Sequence, residues 1–325
     1  MFDFSRNAAR YLAAAAATLF LISCGGSSNE TPAPLPFAFS VAVVGASGAD
    51  IGNRCGSADP LCFPAPPYAG PSTASNGMLY PQLIALRYGN VLAASSAGGF
   101  DYAIGGATTG GIPTDTVAQK LPNMQVQLEQ YLQRLGYVVN PQTLVVVDGT
   151  AFGNNVRRVL ELLAANPQAA ATLPTAAVTQ AATDIGQILN RLYAAGARNI
   201  VLANATNMGL HPAVAALGAN AIALATGMSS AYNSALAVQV VPGVKVVSPG
   251  LNIYLVDFGA LSNEMKATPA NFGITNTTAP CYPFFSAPAA PVCATPDTYM
   301  FWDELHPSAA VHSYGAQRAI AVIGH

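Results

Sequence analysis

Five short, almost wholly apolar runs separated by helix-like stretches restrict this chain to few folds. They are Phe39–Val44, Leu144–Val147, Asn199–Ala203, Val244–Val247 and Ile253–Val256. A strand that is apolar on both faces must be covered on both faces, which argues for a parallel sheet between two layers of helices. The intervening segments have the matching character. Met78–Tyr88, Val156–Ala165, Thr175–Ala195, Leu261–Ala267 and Gly315–Ile323 are expected as helices, and Pro212–Ala237 as mostly helix. Val117–Leu135 carries apolar residues near helical spacing and stops at Gly136, a suitable C-cap. The predicted fold class is therefore α/β, a three-layer α/β/α arrangement with a central parallel sheet and a flavodoxin-like layout.

No repeat and no break in pattern divides residues 37–325, which are read as one domain. Two segments interrupt the alternation, 48–75 and 268–300, both rich in Gly, Pro, Ser and Cys. Loops of this kind at the strand ends of an α/β domain commonly shape the active site.

Composition narrows the function. Apolar residues make up 52% of the 325 and charged residues 9%, with a net charge of −2. A disordered chain needs the reverse balance. Nucleic-acid binding by bulk electrostatics needs a basic excess that is absent here.

The start of the chain reads as an export address. Arg6 and Arg10 precede the apolar residues 11–22, which are too short a run for a comfortable membrane span. Leu21-Ile22-Ser23-Cys24 then resembles the lipobox of bacterial lipoproteins. That resemblance implies a signal peptide over 1–23, acylation of Cys24, a flexible tether over 24–36, and anchoring to the cell envelope, with Gly25 pointing to the outer membrane. Four cysteines remain. Cys55 and Cys62, and Cys281 and Cys293, lie close in sequence, so an oxidising compartment favours two local disulfides among the three possible connectivities. No C-x-x-C or paired histidine accompanies them to suggest zinc.

The candidate chemistry sits at the two ends of the domain. Ser47 follows the first apolar run between glycines, in Gly45-Ala46-Ser47-Gly48. A serine in such a turn stands exposed at the carboxyl edge of the sheet. It needs a base, and a histidine base needs an acceptor to hold its tautomer. Asp303-Glu304-Leu305-His306-Pro307 supplies both, with a carboxylate three residues before an imidazole. His312 lacks such an upstream acid and is read as a structural residue at a helix start, and His211 as a loop residue. Asp148 ends a strand and either shapes the pocket or caps the next helix. Trp302 is expected to pack around the Asp–His loop. Tyr282, Phe284, Phe285, Tyr299 and Phe301 could line an acyl site or pack a core.

Together these segments resemble the SGNH/GDSL hydrolases from about residue 38 to 322. Gly45–Asn53 corresponds to the first block and Asp303–Ser308 to the last. Phe100–Thr108 resembles the second block, and Leu144–Asn155 the third. Ala46 stands where the family has Asp, Gly48 where it has Leu, and Asn155 where the third block has Asp. The resemblance implies a serine ester hydrolase, an esterase or lipase working through an acyl-enzyme without metal or organic cofactor. Ser47 would be the nucleophile, His306 the base and Asp303 its partner. The backbone N–H groups of Ser47 and Gly106 and the Asn154 amide would form the oxyanion hole, with Asn155 competing for the last place. Acyl transfer, lysophospholipase action and a catalytically silent binding lipoprotein are the alternatives.

Overall fold

The computed structural model describes residues 40–115 and 120–324. Cys24 and the segments read as signal peptide and tether lie outside them. The central sheet holds β1 (Val41–Val44), β2 (Leu144–Asp148), β3 (Asn199–Ala203) and β4 (Asn252–Val256), all parallel and in that spatial order. The register pairs Val41 with Leu144, Leu144 with Asn199, and Asn199 with Asn252. Beyond β1, a short segment at Phe100–Tyr102 continues the sheet. Val43 N–H donates to the Phe100 carbonyl at 3.0 Å, and Tyr102 N–H to the Val43 carbonyl at 2.8 Å.

The helices are α1 (Tyr80–Arg87), α2 (Met124–Arg134), α3 (Phe152–Ala165), α4 (Leu173–Ala194), the single turn α5 (Pro212–Ala215), α6 (Ala219–Ala235), α7 (Val241–Val247), α8 (Phe258–Ala267) and α9 (Ala309–Ile323). Side chains alternate across the strands. Ala42, Val44, Val145, Val147, Ile200 and Leu202 face a core shared with α2, α3, α4 and α6. Val41, Val43, Leu144, Val146, Val201 and Ala203 face a second core shared with α1, α8 and α9. This is the three-layer arrangement expected from the doubly covered strands.

Val244–Val247 corrects the sequence reading. It belongs to α7, a helix, not a strand. Val241 and Val244 are buried against the first core while Val246 and Val247 are exposed. Spacing by three puts the first two on one helical face, and Pro242 follows directly on the π-helical turn Leu236–Val240 that joins α6 to α7, an irregularity of the kind that accommodates a missing N–H. Packing of that face overrides the β-branched composition. Helix α2 begins at Met124, because Pro122 precedes it and the Asn123 side chain caps the Val126 N–H at 3.1 Å. Helix α9 begins at Ala309, earlier than expected.

The segment 268–300 is not wholly irregular. β5 (Asn276–Pro280) pairs in parallel with β6 (Tyr299–Phe301) as a separate small sheet. Cys281–Cys293 and Cys55–Cys62 are both disulfide-bonded, the local pairing that short spacing favours. Phe63, Tyr68, Tyr282 and Trp302 form a small third core joining the two insertions.

Candidate active site

The turn after β1 is built by contacts from helix α2 and from the end of β2. Gln127 clamps Gly45: its Oε1 accepts from Gly45 N–H at 2.8 Å and its Nε2 donates to the Gly45 carbonyl at 3.0 Å. Asp148 Oδ2, at the end of β2, accepts from Ala46 N–H at 3.3 Å. A Cβ on Gly45 would come within 2.4 Å of Asp148 Cβ, so only glycine lets the chain pass. Ala49 and Asp50 N–H groups close the turn on the Ala46 carbonyl. Ser47 is left half-buried at its crest. Among the described residues, its hydroxyl and its backbone N–H have no hydrogen-bond partner. The Asp148 carboxylate thus supports the turn in a sequence that has Ala46 in place of the usual Asp. It also accepts from the Tyr80 hydroxyl at 3.1 Å and from Thr150 Oγ1 at 2.6 Å. Burial raises its pKa, opposed by these donors.

Asp50 and Asn53 fasten the turn to the second block. Asp50 accepts from Gly52, Asn53, Arg54 and Gly105 N–H groups at 2.7–3.0 Å. Asn53 Nδ2 donates to the Asp101 and Ala103 carbonyls at 2.8 and 2.9 Å. Ile104 N–H reaches the Gly45 carbonyl at 3.2 Å, and the Ile104 carbonyl accepts from Ala107 N–H at 3.0 Å, so the chain turns back at Gly105 and Gly106. The ladder ends there. Gly106 turns to a φ of +88°, a glycine conformation, and its N–H has no partner among the described residues. Gly106 is exposed and is not part of the wall of the cleft described below.

The two candidate asparagines have different surroundings. Asn154, in the first turn of α3, lines the cleft, and its Nδ2 donates to the Ala107 carbonyl at 2.8 Å. Asn155 is buried and turned away. Its amide is spent on Thr109, accepting from the N–H at 3.1 Å and donating to Oγ1 at 3.0 Å.

At the other end of the domain, His306 Nδ1 lies 2.8 Å from both Asp303 oxygens. A carboxylate has no proton to give at neutral pH, so Nδ1–H donates and Nε2 is left as the free base. Asp303 is fully buried. Its Oδ1 also accepts from the Leu305 and His306 N–H groups at 2.8 Å each. Its Oδ2 accepts from the Tyr68 hydroxyl at 2.6 Å. Tyr68 comes from the first insertion, and sequence reasoning missed it. Trp302 packs edge-on to Tyr68 with ring centroids 5.7 Å apart, as expected of a residue supporting this loop. Phe63 and Phe285 lie 5.9 and 6.2 Å from the His306 ring. Among the aromatic residues considered for an acyl site, Phe301 lines the cleft, whereas Tyr282 and Phe284 pack in the third core.

Ser47, Asn154 and His306 line one cleft of about 950 Å³ at the carboxyl edge of the sheet, its open mouth included. The Ser47 hydroxyl does not hydrogen-bond to His306 here. Such contacts are often long without substrate and tighten in the reacting complex. Two more histidines reach the same cleft. His211 donates from Nδ1 to the Leu305 carbonyl at 3.0 Å and accepts the Thr206 hydroxyl at Nε2, 3.1 Å away. His312 accepts from Tyr80 N–H at Nδ1, 3.3 Å away. Burial lowers their pKa values to about 4 and about 3, so both are neutral braces near pH 7.

A GDSL esterase/lipase of Arabidopsis thaliana is 30% identical over 148 residues, spanning 40% of this chain and 40% of the relative's own length. The sequence model of the GDSL-like lipase/acylhydrolase family matches residues 41–319, nearly the whole described structure, and the chain belongs to that family.

Proposed function

We propose that the protein is a carboxylic ester hydrolase with Ser47 as nucleophile, His306 as general base and Asp303 as its orienting acceptor. The observation that carries this reading is the His306–Asp303 pair, held at 2.8 Å, opening onto the cleft that also contains the unpartnered Ser47 hydroxyl. His306 Nε2 takes the Ser47 proton as Oγ attacks the ester carbonyl. The tetrahedral oxyanion is held by Ser47 N–H, Gly106 N–H and the Asn154 amide. His306 then gives its proton to the departing alkoxide, leaving an acyl-serine. Water, deprotonated by the same nitrogen, attacks the acyl carbon and releases the acid and free Ser47. Each oxyanion donor of this kind contributes about 2.7–4 kcal/mol to barrier lowering.

Ser47→Ala tests the reading. It should fold normally, lose hydrolysis of p-nitrophenyl butyrate, and lose labelling by a fluorophosphonate probe. Retained turnover in that variant would reject Ser47 as nucleophile. For location, we propose an exported protein anchored through acylated Cys24, supported by the Leu21–Cys24 tetrad after an apolar run. Metabolic labelling with palmitate should be abolished in Cys24→Ala. Label retained in that variant would count against the anchor.

A further inference from the structure

The walls of the cleft differ in chemistry. From the side of α1, α8 and α9, it is bounded by apolar groups of Phe258, Leu261, Met300 and Val311. From the other side, α3 contributes Asn154 and, one turn later, Arg157. No Asp or Glu is among the residues lining this space. With His211 and His312 neutral, the Arg157 guanidinium is its fixed charge.

Arg157 is also unengaged. Among the described residues it forms no hydrogen bond, ion pair or ring contact. Its neighbour Arg158, by contrast, makes two bonds to Asp115 at 2.8 and 2.9 Å. Arg54 is tied to Asp59 at 3.5 Å and to the Gly105 carbonyl. Burial is the main cause of the lowered pKa values of Arg54 and His211; the Arg157 charge adds to it at both, against Asp59 and Asp50 at Arg54 and Asp303 at His211, so its field reaches both sides of this end of the cleft. The nearby acids are occupied. Asp303 holds His306 and Tyr68, while Glu304 accepts from the Phe285 and Ser286 N–H groups at 3.1 and 2.8 Å. In a chain with only 9% charged residues, Arg157 stands without an acidic partner among the described residues, in the cleft that holds Ser47.

We propose that Arg157 binds an anionic group of the ester substrate, a carboxylate or phosphate, on the side of the scissile carbonyl away from the apolar wall. The substrate class is then an amphiphilic ester, apolar at one end and anionic at the other. A guanidinium fork matches either oxyanion. The proposal rests on the ester-hydrolase reading of the same cleft.

Two pairs of esters separate the sources of the anion. Mono-p-nitrophenyl glutarate against p-nitrophenyl butyrate places a carboxylate on the acyl side. Butyryl glycerol 3-phosphate against monobutyrin places a phosphate on the alcohol side. In at least one pair the wild type should prefer the anionic member, and added salt should weaken that preference. Arg157→Gln should lower the anionic-to-neutral ratio of kcat/KM about ten- to hundredfold, mainly through KM, as expected for loss of a charged hydrogen bond. Arg157→Lys should restore part of it. Unchanged ratios in Arg157→Gln for both pairs, or no wild-type preference in either, would overturn the proposal. Failure to hydrolyse any of the four esters would instead reject the ester-hydrolase reading. The anion site then stands or falls on calorimetry: monoethyl glutarate or glycerol 3-phosphate must bind Ser47→Ala at least tenfold more tightly than the Ser47→Ala/Arg157→Gln double variant.

Discussion

The Tyr68 hydroxyl donates a 2.6 Å hydrogen bond to Asp303 Oδ2, the same carboxylate that grips His306 Nδ1, across 235 residues of sequence. The first insertion therefore reaches over the site and completes the carboxylate's set of donors. Burial and the adjacent Asp303 charge drive the Tyr68 pKa far upward, so it remains a donor at every working pH. A buried carboxylate is stabilised by each N–H or O–H aimed at it. Tyr68 stacks on Phe63 at 4.3 Å, which holds the ring in place for this bond.

Tyr68→Phe should keep the ring packing and remove only the donor. We expect kcat for a neutral ester to fall about tenfold, in line with about 1.5 kcal/mol for a hydrogen bond to a charged group. Steady-state kinetics with a thermal melt would check this. Unchanged kcat would show that the Leu305 and His306 N–H groups suffice for Asp303.

Asn154→Ala and Asn155→Ala should fail in different ways. Removing Asn154 removes an amide from the cleft, and kcat should fall about 10²–10³-fold with a nearly unchanged melt. Removing Asn155 strands the buried Thr109 N–H, although the Thr109 hydroxyl keeps its 3.0 Å bond to Asp184, costing about 1–3 kcal/mol of stability. Kinetics and urea denaturation on both variants separate the two roles. The opposite pattern would move the oxyanion assignment to Asn155.

Gly45→Ala should damage both fold and activity. Its Cβ would lie 2.4 Å from Asp148 Cβ, and neither partner is the free end of a flexible chain. Overpacking of this kind costs about 1–3 kcal/mol. The turn carrying Ser47 would have to shift, so we expect the lost activity to exceed what the unfolded fraction explains. Activity per folded molecule, measured well below the melting temperature, is the readout.

His312 should make the fold acid-sensitive. Its pKa is about 3 in the native state, depressed by burial, against about 6.5 when unfolded. Below pH 6.5 the unfolded chain binds a proton that the native state refuses until about pH 3. Stability present above pH 6.5 is therefore lost as the pH falls. By pH 5 this single group accounts for about 2 kcal/mol. His312→Gln should lose less stability than wild type between pH 7 and pH 5, by about that amount. Parallel losses in urea titrations at the two pH values would refute this. The buried carboxylates of Asp50, Asp101 and Asp148 act in the opposite sense. Burial raises their pKa values, so their contribution is greatest at acid pH and declines as the pH rises. The comparison between variant and wild type cancels them.

Local order was legible wherever one segment decides its own fate. Leu144–Val147 has no polar face to offer water, so it had to be an internal strand, and it is 0% exposed throughout. Asp303 and His306 stand close enough in sequence for a single loop to join them. Cys55 with Cys62, and Cys281 with Cys293, are near enough that local closure is the simplest pairing. Val244–Val247 was misread because its β-branched residues suit a strand. Which of them are buried is settled by a neighbouring core that the segment itself does not specify.

What the sequence determined alone was a set of covalently local facts: doubly apolar strands, a glycine-flanked serine, an acid and a histidine in one loop, and cysteines at short spacing. Tertiary structure decided which distant groups finish the site. Tyr68 on Asp303, Asp148 under Ala46 and Arg157 in one cleft with Ser47 and His306 all depend on packing that brings distant segments to one edge of the sheet. The physical reason is range. Backbone preference and burial pattern act over a few residues, whereas a buried carboxylate recruits donors from any part of the chain that packing brings within about 3 Å.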